Sequence, residues 1–317
     1  MTMRFGIFLS LTFTTWEDVL RLARHAEATG WDAVAVTDHF MPNTPDRLGD
    51  VLECWTTLAA LAALVPRIQV GTIVVGNTYR HPAVVAKMGA TVDVIAGGRL
   101  LFGLGAGWQQ NEHEAYGIPF GTVAERLARL DEACRVIKAL WTETKATVVG
   151  RYYRVTDAPC LPKPVQHPYP EFMIGGGGER VTLRIAAEHA DHWNTWGGPR
   201  TLAHKGRVLE EHCARLGRDP RTIRRSANMP LALTDDRAEV ERLAAAVSRR
   251  MGYPPDLVED LVLAGSVAAV QDKLARLREA GVDMLWVPTI FLPKDPRALL
   301  DRFMAEVAPA FREPARR

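Results

Sequence analysis

The segment VTDHF sets a carboxylate, Asp38, beside an imidazole, His39, directly after an apolar run. Imidazole titrates near neutral pH, so a histidine fixed by a hydrogen-bonding partner can take up or release a proton during catalysis. Neighbouring residues point in different directions, so Asp38 and His39 need not bond each other. The plainer alternative is a turn-capping aspartate followed by an exposed histidine. A second kind of chemistry is suggested by bare backbone. In MIGGGGERV, Gly175 to Gly178 precede a stretch that reads as a helix from about Glu179. Backbone N–H groups at a helix start bind anions, and glycines let a phosphate come close; the alternative is a flexible loop. Further upstream, RLLFGLGAGWQQNEHEAYG places glycines at 103, 105 and 107. This is not the dinucleotide fingerprint G-x-G-x-x-G, whose third glycine would fall where Trp108 stands and which belongs in a first strand–helix turn. At alternate strand positions the three glycines share one side, which clears a path for a flat ligand. The competing explanation is a packing layer filled by bulky side chains of neighbouring strands.

Other stretches are more ambiguous. DHWNTWGG sets Trp193 and Trp196 around Asn194, either as an aromatic wall or as ordinary packing, while Arg80 and His81 of NTYRHP are polar groups at the end of strand three, for which the strong alternative is a loop facing solvent. HEAYG lacks the second histidine of H-E-x-x-H, neither G-x-S-x-G nor a phosphate-binding P-loop occurs, and the remaining histidines have no ligand spacing. No metal site is therefore expected. Cys54, Cys134, Cys160 and Cys213 are too far apart for a zinc pattern, which suits a reduced, cytoplasmic compartment. The net charge is only +2, with scattered Lys and Arg, so neither a nucleic-acid groove nor a membrane-binding face is expected. Arg4 and the run FGIFLSLTF imitate a short signal peptide. No small-residue cleavage site follows, however, and the run reads as a first buried strand.

The elements that must position these residues alternate almost from the start. Apolar strands are expected at RFGIFLSL, DAVAVTDHF, IQVGTIVVG, RLLFGLG, EFMIGG, DHWNTWG, IRRSANMPLAL and DMLWVPTIF, each followed by a helical period. Thr14 and Glu17 are placed for a capping box, Gly30 for a helix stop, and Pro82 for a first helical turn. Eight such units in 317 residues predict an α/β fold, a single (β/α)8 TIM barrel. A Pro- and aromatic-rich excursion at about 142–170, with a hairpin near Gly150, falls between strands four and five.

GWDAVAVTDHF, the block from GTIVVGNTYRHP through GLGAGWQQNEHEAYGIPF, and MIGGGGERVTLRIAAEHADHWNTW together resemble the bacterial luciferase-like superfamily. The resemblance is strongest to the branch of oxidoreductases dependent on coenzyme F420. It implies a barrel with a flavin or deazaflavin ring at its C-terminal mouth, and a non-proline cis peptide near Ile73–Val74 against that ring. It also implies Asp38 and His39 on the cofactor side, Gly105, Gly107 and Trp108 passing the ring, and Gly176, Gly177 and Gly178 on its phosphate. The glycines at 103–107 would then make room for the tricyclic ring. One position departs from the pattern: sugar-phosphate dehydrogenases of this branch carry a proton-donating Glu where this chain has Trp108. That argues against sugar-phosphate activity and leaves the substrate open. Glu112 stands one helical turn further on and is not assigned the role. The implied reaction is hydride transfer between F420 and a small organic substrate, with His39 as proton carrier and Asp38 in support. Two alternatives keep the fold: an FMN-dependent monooxygenase served by a separate reductase, and a non-catalytic flavin- or deazaflavin-binding protein. A sugar-phosphate enzyme without redox cofactor would use the glycine run but leave Gly103 to Gly107 without a purpose. A homodimer is expected, to which WTTLAALAALV could contribute.

Overall fold

The apolar runs separated by helical periods form a closed barrel in the computed structural model, which describes residues 2–312. Its strands are β1 (Arg4–Leu9), β2 (Ala33–Val36), β3 (Gln69–Thr72, resuming at Val75–Gly76), β4 (Leu100–Gly105), β5 (Glu171–Gly175), β6 (His192–Trp196), β7 (Arg224–Asn228) and β8 (Met284–Pro288). Every neighbouring pair is parallel. β1 pairs with β2 through Gly6↔Ala33 and with β8 through Phe5↔Leu285, while Val70↔Leu100 joins β3 to β4 and completes the circle. Between the two halves of β3 lies the Ile73–Val74 cis peptide.

The helices are α1 (Trp16–Ala28), α2 (Cys54–Leu64), α3 (Pro82–Ala96), α4 (Gln110–Tyr116), α5 (Val123–Thr142), α6 (Thr182–His189), α7 (Pro199–Leu216), α8 (Arg237–Met251), α9 (Pro255–Leu261), α10 (Val267–Glu279) and α11 (Arg297–Arg302). Local chemistry sets several ends. Thr122 and Glu125 form a reciprocal capping box on α5, and α3 ends at Gly97 in the left-handed conformation. α1 begins one residue later than expected: Thr15, not Thr14, caps it by accepting from the Asp18 N–H at 3.2 Å. α6 begins at Thr182 rather than near Glu179, because residues 179–181 still turn and Leu183 donates back to the Gly178 carbonyl. The expected strand IRRSANMPLAL divides. Its first half is β7, and Leu231–Leu233 instead pairs with Leu263–Gly265 beside α8 and α9.

Two apolar layers hold the barrel. The outer one seats the helices, with Phe102, Trp141 and Phe172 in mutual aromatic contact and all fully buried. Burying each such ring contributes roughly 1.5–3 kcal/mol. The inner layer contains Phe8, Ile73, Leu101, Met173, Met284 and Trp286, the last lying over the bare Gly6. Most of WTTLAALAALV is spent on the outer layer; within α2, only Thr56, Ala63 and Leu64 are exposed. The excursion forms an antiparallel hairpin, Ala146–Val149 with Arg154–Ala158, turning at Gly150. The four cysteines are buried and free, and among the described residues no helix is long and apolar enough to cross a membrane.

Candidate active site

β2 ends at Val36, so Asp38 and His39 emerge at the C-terminal mouth, where barrel enzymes place their chemistry. The two residues diverge. Asp38 turns inward, 2% exposed, and accepts both Arg80 Nη1 (2.8 Å) and the Gly76 N–H (3.1 Å). Arg80 also donates to Glu53 at 2.5 Å. Burial pushes the Asp38 carboxyl above its usual range, opposed by the Arg80 guanidinium. Asp38 therefore braces the exits of β2 and β3. Its oxygens are taken up by Arg80 and Gly76, so it acts on His39 through charge and not through a hydrogen bond. Arg80, for which the sequence leaves a solvent-facing loop as the strong alternative, is the buried cation that holds this corner.

His39 finds its partner 73 residues away, in α4. Its Nδ1 donates to Glu112 Oε1 at 2.9 Å, and the Phe40 N–H donates to Glu112 Oε2 at 2.9 Å. Tyr79 O–H also donates to Glu112. Burial alone would raise the Glu112 carboxyl, but the His39 hydrogen bond and charge, with the Phe40 and Tyr79 donors, hold it below the usual range. Burial and the Glu112 contact push the Tyr79 phenol up, so it remains a donor. An ionised carboxylate only accepts, which fixes a proton on His39 Nδ1 and leaves Nε2 without a protein partner. The His39 side chain is 19% exposed, and Trp108, 62% exposed, meets its ring edge-on with centroids 5.4 Å apart. His113 of HEAYG is satisfied within the structure, donating from Nδ1 to the Gln109 carbonyl and accepting at Nε2 from Thr78 O–H, both at 2.7 Å.

The glycines of β4 are closely packed. A Cβ at Gly105 would lie 2.7 Å from Val74 Cγ2, and one at Gly103 would lie 2.9 Å from Val74 Cγ1 and 2.8 Å from Met173 Cε. A Cβ at Gly175 would also strike Val74, at 2.8 Å. At Gly107, which has φ +80°, it would strike the Thr78 hydroxyl. Around these glycines, the places where side chains would stand are thus taken by Val74 and Thr78 and, at Gly103, by Met173 and the Thr72 carbonyl. Val74, half-buried and carried on the cis Ile73–Val74 peptide, is the side chain they seat.

At the β5 exit, Gly176 (φ +132°), Gly177 and Gly178 form a bare loop beside two hydroxyls. Cβ atoms at Gly177 and Gly178 would stand 2.9 Å from Thr195 Oγ1 and 2.8 Å from Thr182 Oγ1. Lys205 of α7 donates to the Gly177 carbonyl at 2.6 Å and to Glu179 at 3.0 Å. Hydroxyls, an ammonium group and exposed backbone around a helix start form a cradle suited to a phosphate. Lys205, Thr182 and Thr195 were missed from the sequence because they come from three separate elements. Trp193 is fully buried and donates to the Gly176 carbonyl at 2.8 Å, supporting the loop from beneath. Trp196 does reach the mouth, packing near Phe8 and Phe291.

Comparison with known proteins places this arrangement in context. The chain is 29% identical to an F420-dependent glucose-6-phosphate dehydrogenase of Intrasporangium calvum, over 90% of this chain and 92% of that protein. It is 31% identical to an F420-dependent hydroxymycolic acid dehydrogenase of Mycobacterium tuberculosis, over 74% of this chain and 64% of the relative. Its fold superposes on an F420-dependent secondary alcohol dehydrogenase solved with an F420–acetone adduct, at TM-score 0.86 and 24% identity, covering 99% of this chain and all of the other. Residues 3–253 match the family described as luciferase-like monooxygenase. The chain belongs to the luciferase-like monooxygenase family.

Proposed function

We infer that this protein is an F420-dependent oxidoreductase that interconverts a small hydroxyl-bearing substrate and its carbonyl form. The observation that carries the proton chemistry is the His39–Glu112 hydrogen bond, which presents an unpartnered imidazole nitrogen at the barrel mouth. F420 is the cofactor named for the relatives at 29% and 31% identity, and when bound it supplies hydride acceptance and donation at its deazaflavin carbon. The chain's own residues do the rest. Gly176, Gly177 and Gly178, with the Thr182 and Thr195 hydroxyls, hold the phosphate. Val74, seated on Gly105 and Gly175, supports one ring face, and Trp108 shelters His39 from water. His39 Nε2 takes the hydroxyl proton as the substrate carbon gives up hydride, and returns it in the reverse direction.

A titration of the purified protein with F420 and, separately, FMN tests this reading through tryptophan fluorescence. Trp108 at the mouth and Trp193 under the glycine loop lie where a bound ring and phosphate would perturb them. Tight F420 binding with weak FMN binding is expected. Preferential FMN binding would instead support a two-component monooxygenase, and binding of neither would overturn the ring-site reading.

A further inference from the structure

One buried cation beside the mouth has no acid to serve. Arg126, near the start of α5, is only 9% exposed and forms no ion pair among the described residues. Its guanidinium holds backbone instead. Nε donates to the Gly107 carbonyl at 3.2 Å, Nη1 donates to the Gly121 carbonyl at 2.7 Å, and the group lies 3.7 Å from the Phe120 ring centre. Gly107 and Gly121 are the two ends of the segment that joins β4 to α5, and both are left-handed, with φ +80° and +72°. One planar group thus pins both ends of the segment 107–121.

That segment carries α4, the element that brings Glu112 to His39. At seven residues α4 is too short to be stable by itself, and its N-terminus has no side-chain cap. Its place depends on what surrounds it. On one side it meets the exit of β2: Gln109 Nε2 donates to the Met41 carbonyl at 3.1 Å, and Tyr116 O–H donates to the Phe40 carbonyl at 3.2 Å. On the other side, Phe120 lies between Arg126 and the His113 ring, whose centroid is 4.6 Å from its own. His113 is the residue next to Glu112. The Glu112 carboxylate must meet His39 Nδ1, the Phe40 N–H and Tyr79 O–H together. Hydrogen bonds weaken steeply with distance and angle, so a small shift of α4 is enough to lose the one to His39.

We propose that Arg126 is a positioning residue for the proton chemistry: by clasping both ends of the 107–121 segment it sets α4 so that Glu112 holds the His39 proton. The proposal rests on the reading of His39 as the proton carrier. Charge alone does not serve this purpose, because a lysine ammonium lacks the planar fork that reaches two carbonyls in fixed directions.

The test has two arms and uses the wild type, Arg126→Lys and Arg126→Met. The first needs no F420. It follows exchange of imidazole N–H protons with water by NMR of protein labelled at its histidine nitrogens. Both variants should exchange the His39 Nδ1 proton at least about tenfold faster than the wild type. The proton of His192 Nδ1, bound to Glu171 at the other end of the barrel, should keep its wild-type rate. Faster exchange at both histidines would mean general loosening, and an unchanged His39 rate would mean that α4 stays in place without Arg126. Either result overturns the proposal. The second arm follows F420 reduction by a panel of small alcohols, in a double-mutant cycle with Glu112→Gln. Arg126→Met and Arg126→Lys should each lower turnover about tenfold, with the same altered pH–rate profile as Glu112→Gln and with unchanged F420 affinity. Added to Glu112→Gln, Arg126→Met should lower turnover by less than about twofold more. A full tenfold loss in that background, or a wild-type pH–rate profile in Arg126→Met, would show that Arg126 does not act through Glu112 and would also overturn the proposal. If the wild type reduced no F420 at all, the F420 reading would fall, and the first arm would still decide whether Arg126 positions Glu112.

Discussion

The barrel contains the same chemical pair at opposite ends. At the mouth, His39 Nδ1 meets Glu112 at 2.9 Å; at the other end, His192 Nδ1 meets Glu171 at 2.9 Å. What differs is the second ring nitrogen. His192 is fully buried, and its Nε2 accepts from Ser226 O–H at 2.7 Å, inside a network that Asn194 and Asn228 complete. Every polar atom of that imidazole is committed, so the pair serves structure. His39 is partly exposed, and the structure gives its Nε2 no protein partner. A histidine–carboxylate pair therefore becomes a candidate catalytic group through what is left unpaired, not through the pair itself.

This contrast can be broken first on stability. His192→Ala removes a fully buried ring, leaves the half-buried Glu171 with only Gln69 at 3.4 Å, Arg224 at 3.7 Å and Arg4 at 4.0 Å, and should lower unfolding free energy by about 3 kcal/mol. His39→Ala should lower it by less, about 1–2 kcal/mol, because the fully buried Glu112 keeps the Phe40 N–H and Tyr79 O–H as donors and the lost ring was partly in water. Urea unfolding of both variants decides the point, and equal losses would remove the distinction.

Acid titration sharpens the comparison. Burial raises the Glu171 carboxyl, but His192, Arg224 and Arg4 outweigh it and bring it from the ordinary 4.5 to about 2. A folded-state pKa below the unfolded one gives stability that is complete above about pH 4.5 and is lost as pH falls toward 2. The contribution is about 3 kcal/mol. Glu171→Gln should flatten the pH dependence of unfolding in that window; an unchanged slope would show that Glu171 does not carry it.

The role assigned to the β4 glycines gives a third prediction. Gly105→Ala should destabilise by about 2 kcal/mol through overpacking against Val74. Val74→Ala in the same chain should recover much of that loss in a thermal melt. No recovery would mean that Gly105 serves something other than Val74.

The smallest effect concerns Glu112. Glu112→Gln keeps an acceptor for the Phe40 N–H but removes the carboxylate that holds His39 Nδ1–H. Turnover should fall about tenfold, with a changed pH–rate profile and unchanged F420 affinity. A structural role alone would alter stability and leave the pH profile in place.

The alternation of strands and helices was legible because a parallel barrel buries each strand on both faces, which writes it as a continuous apolar run. His39 was legible because it follows such a run directly. Its partner was not, since local pattern carries no information about a contact spanning 73 residues. The role of Arg80 was hidden for the same reason: its acids, Asp38 and Glu53, come from other parts of the chain. The glycines at 103–107 were recognised as unusual, but spacing cannot reveal which side chain fills the gap. Trp193 and Trp196 look alike in sequence, yet one lies beneath the phosphate loop and the other reaches the mouth, because they sit three residues apart on a strand whose faces alternate.

The most direct test of the central claim is a single-turnover measurement with bound F420 and a panel of small alcohols, following loss of the deazaflavin absorbance. His39→Asn should bind F420 as tightly as the wild type but reduce it at least about a hundredfold more slowly, whereas His192→Asn, per folded molecule, should stay within a few-fold of wild type. A wild-type rate in His39→Asn, or equal losses in both variants, would contradict the assignment of His39 as the group that moves the proton.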